Sequence, residues 1–218
     1  MATPRSQRIG IWIIAIVMAV GTIGSFLIII LSTTNQKTDQ ARLAELMSQY
    51  EAETTDYQKK VSNQDAQLAL QYYDELNGYN SRVGTFDAAS VTELKTEDLK
   101  VGDGPDITAS SSFSAFYIGW NPNGKVFDSS IEDGKLKSPY PVTPGGVIKG
   151  WTEGAAGMKQ GGIRELTIPA AKAYAEIGGG DDIPPNTPLK FVIFIPKQET
   201  FAAPEPSEEL IRLYEQSQ

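Results

Sequence analysis

The chain has 218 residues, enough for one domain of ordinary size plus additional segments, and 40% of them are hydrophobic, which suits a packed core. Its 27 acidic and 19 basic residues leave a net charge of −8 with no clustered basic face and no DNA- or RNA-binding motif, which argues against nucleic acid as a partner. With no cysteine and no histidine, disulfides, thiolate sites and imidazole chemistry are excluded, which leaves carboxylate catalysis, hydroxyl chemistry with lysine, or catalysis by environment alone.

Residues 9–31, "IGIWIIAIVMAVGTIGSFLIIIL", carry no charge, and a helix of that length crosses a bilayer core of about 30 Å. A signal peptide would have a shorter apolar region and a small-residue cleavage site, whereas "LIIILSTTNQ" follows here. The segment therefore predicts a single transmembrane helix. Arg5 and Arg8 precede it and the next basic residue is Lys37, so residues 1–8 are expected in the cytoplasm and the rest of the chain outside it. The expected setting is a bacterial cell membrane.

Residues 32–83 read as a helical stalk and linker. From 37 to 77 there is neither proline nor glycine, and Leu43, Met47, Tyr50, Thr54, Tyr57, Val61, Gln64 and Leu68 alternate spacings of four and three, the pattern of a helix that packs on another helix. A plain spacer, a dimeric coiled coil and a helix folded onto its own domain all fit that pattern. The run "NGYNSRVGTF" at 77–86 then breaks the helix.

Beyond it the periodicity becomes that of short strands: 90–99, "SSFSAFYIGW" at 111–120, "ELTIP" at 165–169 and "LKFVIFI" at 189–195. Turn signals separate them: "GDGP", "NPNG", "EDG", "TPGG" and "DDIPPN". The expected fold class is α+β, a small antiparallel sheet with one short helix, over residues 84–198. Residues 199–218 read as a tail with two prolines and a terminal helix.

Five motifs in this region come in a familiar order: "GKVFDSS" at 124–130, "GGVIKGWTEGAAGMKQGG" at 145–162, "RELTIP" at 164–169, "AYAEIG" at 173–178 and "IPPNTPLKFVIFI" at 183–195. In them the region resembles the FKBP-type peptidyl-prolyl cis-trans isomerases. The resemblance implies a twisted antiparallel sheet wrapped around a short helix, rotation about X-Pro bonds as the activity, proline-containing polypeptides as clients, macrolides as inhibitors, and no cofactor or metal. It further implies that Trp151 is the floor of a pocket walled by Tyr117, Phe127 and Phe191. Val147 and Ile148 lie in the loop before the tryptophan, the Ile148 N–H donating to the substrate carbonyl. By the same resemblance Tyr174 is expected to bond the bound peptide through its hydroxyl, Asp128 to lie beside the pocket, and Tyr140 and Ile183 to be the further substrate contacts.

Elementary chemistry agrees with a site that lacks a base. The X-Pro isomers differ by only about 0.5–1 kcal/mol, and rotation must break amide resonance over a barrier of about 18–20 kcal/mol, with no proton moving. The chain departs from the family's usual residues at Ala175, where glycine is common, at Asp181 and Asp182, which make the rim before "IPP" acidic, and at "IEDGK", which offers no obvious basic partner to Asp128. Two other functions fit the same residues: a membrane-tethered module or chaperone that binds proline peptides without turning them over, and a scaffold whose stalk dimerises.

Overall fold

The stretch without proline or glycine folds as one α-helix, α1 (Thr34–Gly78). The structure is a computed structural model that describes residues 34–217, so the apolar segment 9–31 lies outside the described residues. Among the described residues no helix is long and apolar enough to cross a membrane. Helix α1 ends at Gly78, where the Ser81 hydroxyl donates to the Gly78 carbonyl at 2.9 Å and Asn80 Nδ2 donates to the Asn77 carbonyl at 3.2 Å. These side chains satisfy carbonyls that the helix leaves open at its last turn.

The described residues divide into two compact units: Val61–Thr200, and residues 34–60 together with 201–217. In the second of these, helix α3 (Glu208–Gln216) starts at Ser207, whose hydroxyl accepts from the Leu210 N–H at 3.1 Å. Glu208 and Glu209 occupy its first turn, where carboxylates suit the positive end of the helix dipole. Leu210 and Leu213 are buried against Leu46 and Tyr50 of α1, with Leu43 and Met47 alongside. Arg42 holds the Glu209 carboxylate through Nε at 3.2 Å and Nη2 at 3.0 Å. Three positions of the helical seam, Leu43, Met47 and Tyr50, are thus covered by the tail of the same chain.

The larger unit is built on an antiparallel sheet. Its strands are β1 (Lys95–Lys100), β2 (Phe113–Trp120), β3 (Val126–Ser129), β6 (Tyr140–Val142), β7 (Ile163–Ile168) and β8 (Leu189–Phe194), in the order β1-β7-β8-β2-β3 with β6 also on β2. The register sets Tyr117 opposite Ile193 and Gly119 opposite Phe191. Between β3 and β6, β4 (Ile131–Glu132) and β5 (Lys135–Leu136) form a hairpin whose turn, Asp133–Gly134, has φ of 50° and 72°, the two positive values that a tight hairpin demands. The strand expected from residue 90 begins instead at Lys95. The Asp87 carboxylate accepts from the Ala89 N–H and nucleates a 3-10 turn over Ala88–Ser90.

Alternation along β2 and β8 sends side chains to both faces. Tyr117, Phe191 and Ile193, with Leu166 and Ile168, belong to one core with the short helix α2 (Lys149–Ala155). Phe116, Ile118, Trp120, Val192 and Phe194 belong to another, closed by Leu68 and Leu76 of α1. Because both faces are covered, β2 and β8 read as continuous apolar runs instead of alternating ones. The turn after α1 is tied down as well: Arg82 meets Glu97 and the buried Glu165, and Glu165 also accepts from Lys190 Nζ at 2.8 Å. Two cations compensate that buried carboxylate, as burial of a charge requires.

Candidate functional site

The sheet core opens on one side into a cavity of about 410 Å³ lined by Tyr117, Phe127, Asp128, Tyr140, Gly145, Gly146, Val147, Ile148, Trp151, Tyr174 and Phe191. Nine of these are the residues that the resemblance assigned, although β2, β3, β6, β8, α2 and two loops each supply one or more of them. Trp151, 4% exposed, lies at the third position of α2 and forms the base of the cavity. Its ring meets Tyr117 at 5.2 Å and 79°, Phe191 at 5.4 Å and 85°, and Tyr140 at 6.4 Å and 72°. Phe127 meets Phe191 at 5.5 Å and 84°. These edge-to-face angles are the favoured arrangement of aromatic quadrupoles, which makes the walls rigid without a covalent tie.

Ile183 behaves differently. It is 4% exposed, belongs to the core and is not among the residues that line the cavity. Three glycines went unassigned at the sequence level. Gly145 and Gly146 line the cavity within the "TPGG" turn, which was legible as a turn only. Gly119 faces the Phe127 and Phe191 rings, where an added Cβ would come within 2.6 Å of Phe191 and 2.9 Å of Phe127. A glycine in an otherwise apolar strand is the signal that marks such a close approach.

Polar groups enter the cavity at one corner. The Tyr117 hydroxyl donates to Asp128 Oδ2 at 2.6 Å, so the aspartate has a tyrosine for a partner where a basic residue is missing. The two serines after Asp128 hold this segment against β2: the Ser129 hydroxyl donates to the Tyr117 carbonyl at 3.3 Å, Ser130 Oγ accepts from the Tyr117 N–H at 3.0 Å, and the Ser130 N–H donates to the Tyr117 carbonyl at 2.8 Å. Burial, and then the hydrogen bond to Asp128, push the Tyr117 hydroxyl pKa well above the usual tyrosine range. Burial, and then the Asp128 charge, also raise that of Tyr174. Both hydroxyls stay neutral at physiological pH.

The sign for stability follows from which form the fold prefers. A tyrosine whose folded pKa is raised adds nothing unfavourable below its ordinary value of 10.0. Above it the unfolded chain ionises and the folded one does not, so stability falls as pH rises. The urea midpoint of the full-length chain is therefore expected to drop between pH 9 and pH 11, and to drop less in Tyr117→Phe. Parallel curves for the two proteins would refute a buried, neutral Tyr117.

The acidic rim is partly neutralised. The Asp182 carboxylate pairs with Lys125 Nζ at 2.5 Å and its carbonyl accepts from Asn121 Nδ2 at 2.9 Å. Ala175 sits in the left-handed region at φ 49°, which explains why glycine suits this position. Its carbonyl accepts from the Asn186 N–H at 2.6 Å, and the Tyr174 carbonyl accepts from the Gly178 N–H at 3.2 Å. The loop beneath Tyr174 is thereby closed on itself.

Residues 104–195 match the family of FKBP-type peptidyl-prolyl cis-trans isomerases. The chain is 42% identical over 102 residues to the FK506-binding protein of Neisseria meningitidis serogroup B, across 46% of this chain and 91% of that protein. It is 41% identical over 102 residues to a probable FKBP-type peptidyl-prolyl cis-trans isomerase of Haemophilus influenzae, across 45% of this chain and 41% of that one. It is also 46% identical over 100 residues to FK506-binding protein 4 of Dictyostelium discoideum, across 45% and 26% respectively.

Proposed function

The chain belongs to the FKBP-type peptidyl-prolyl cis-trans isomerases, and from that premise we propose that it turns over X-Pro bonds in proteins outside the cytoplasm while residues 9–31 hold it in the membrane. The observation that supports the chemistry is a rigid aromatic cavity whose one carboxylate is already engaged by a tyrosine. Amide rotation needs no base, because no proton is transferred. It needs a place where the twisted amide, less dipolar than the planar one, loses less on leaving water.

In this reading the proline ring sits on Trp151 between Tyr117, Phe127 and Phe191, with Tyr140 at the mouth. Val147 and Ile148 flank the bound peptide. The Ile148 N–H, just before the first turn of α2 where backbone donors lack intrahelical partners, donates to the substrate carbonyl. The Tyr174 hydroxyl donates to the peptide on the other side. Asp128 fixes the Tyr117 hydroxyl and places negative potential beside the amide carbon. Lowering the barrier by about 5.5 kcal/mol would accelerate rotation about ten-thousand-fold. The relatives named FK506-binding proteins support a macrolide as a competing ligand of the same cavity.

The anchor rests on the uncharged run 9–31 and on Arg5 and Arg8 before it. In bacterial cells the full-length chain should stay with membranes through an alkaline carbonate wash, and protease added to spheroplasts should digest it. Release by carbonate would remove the anchor, and protection from protease would reverse the topology.

A further inference from the structure

Helix α2 carries Trp151 and begins at Ile148, so whatever sets its position sets both the floor of the cavity and the substrate-facing N–H. The helix has only seven residues and no side-chain cap at its N-terminus, too short to hold itself by internal hydrogen bonds. Its placement comes from one face of β7, where Arg164, Leu166 and Ile168 lie two residues apart and point the same way. Ile168 meets Gly150 and Leu166 meets Gly154 so closely that a Cβ on either glycine would come within 2.3 Å and 2.7 Å of those side chains.

The third contact is polar. Arg164 Nη1 donates to the Gly154 carbonyl at 2.8 Å and to the Ala156 carbonyl at 3.0 Å, at the C-terminal end of α2 where carbonyls lack partners and the dipole is negative. Its Nε and Nη2 donate to the two oxygens of Asp98 at 2.6 Å and 3.1 Å. Asp98 stands opposite Arg164 in the β1–β7 register, so the guanidinium is held from one side while it grips the helix from the other. Arg164 is 8% exposed. A buried cation that reaches across to the end of the catalytic helix does more than close a sheet edge: with Leu166 and Ile168 it fixes α2 along its own axis.

We propose that Arg164, braced by Asp98, is a positioning residue for the isomerase reaction, acting through α2 on Trp151 and the Ile148 N–H. The inference rests on the cavity being the isomerase site. A planar guanidinium satisfies the carboxylate and both carbonyls at once, which no other side chain does in that geometry.

The test uses the full-length chain in detergent, labelled with 5-fluorotryptophan, so that Trp151 reports on α2 and Trp120, in the opposite core, reports on the fold. Arg164→Met is expected to lower kcat/KM for a proline peptide about 10-fold, since small misplacements of reacting groups are costly, and to move the Trp151 fluorine resonance while leaving that of Trp120. Asp98→Asn is expected to give a smaller loss with a shift at the same tryptophan. Unchanged kcat/KM and an unchanged Trp151 resonance in Arg164→Met, with Trp151→Ala inactive, overturns the proposal and leaves the site reading intact. An active Trp151→Ala overturns the site reading itself. Equal shifts at Trp120 and Trp151 make Arg164 a general structural residue and also overturn the proposal. Should Arg164→Met fail to fold, Asp98→Asn decides: no shift at Trp151 overturns it.

Discussion

Replacing Trp151 by alanine is expected to lower kcat/KM for proline peptides about 100-fold, equivalent to roughly 2.7 kcal/mol of lost transition-state stabilisation. The indole is the one surface that touches Tyr117, Phe191 and Tyr140 together. Without it the cavity has no base, water enters, and the preference of the dry site for the twisted amide fades. The same change removes a buried ring and costs the fold about 3–5 kcal/mol, so the activity must be read at a temperature where thermal unfolding shows the variant folded. Trp151→Phe separates the two effects, since it keeps an aromatic floor with less area and should retain much more activity. An alanine variant that is folded and turns over at the parent rate would remove Trp151 from the mechanism.

Leu76→Ala is expected to destabilise the protein by about 3 kcal/mol without touching the cavity. Leu76 is fully buried, on the sheet face opposite Trp151, among Phe116, Ile118, Trp120, Ile163 and Phe194. Leu70, on the same helix, is 85% exposed, and Leu70→Ala should change stability by less than about 0.5 kcal/mol. Urea unfolding of the full-length chain checks both. Similar midpoints for the two variants would mean that the end of α1 does not close the sheet. The expected difference also says how the isomerase unit should be produced, because a fragment that starts at residue 84 lacks Leu68 and Leu76 and leaves the Phe116, Ile118 and Phe194 face in water.

Six of the cavity-lining side chains carry their signal in short motifs beside turns. "FDSS" marks Phe127 and Asp128, "VIKGW" marks Val147, Ile148 and Trp151, and "AYAEIG" marks Tyr174. They are legible because each sits beside glycines, serines or prolines that a particular turn requires, and such turns leave traces over a few residues. Gly119 and Arg164 were visible only as a glycine in an apolar strand and as the first residue of "RELTIP", with nothing to name their partners. A glycine in a strand and an arginine before "ELTIP" show their use only when another segment arrives: the Phe127 and Phe191 rings against Gly119, the end of α2 and Asp98 against Arg164. Tyr117 and Asp128 are eleven residues apart, and their hydrogen bond exists because β3 folds back on β2. Ile183 shows the reverse case, a motif residue whose side chain turns into the core.

What this sequence determined alone is chemistry and local form: no thiol or imidazole to catalyse with, a long helix over 37–77 where helical spacing runs unbroken by proline or glycine, turns where those residues cluster, and an ordered set of motifs that resemble those of proline-bond isomerases. What only the tertiary structure decided is who meets whom across long separations. Helical periodicity states that Leu68 has an apolar partner without naming it; the sheet face supplies it. The same pattern left Leu43, Met47 and Tyr50 free to choose a second chain, and the tail helix with Leu210 and Leu213 covers them. The physical reason is that backbone preferences act over a few residues, whereas burial is a property of the surface that the whole chain creates.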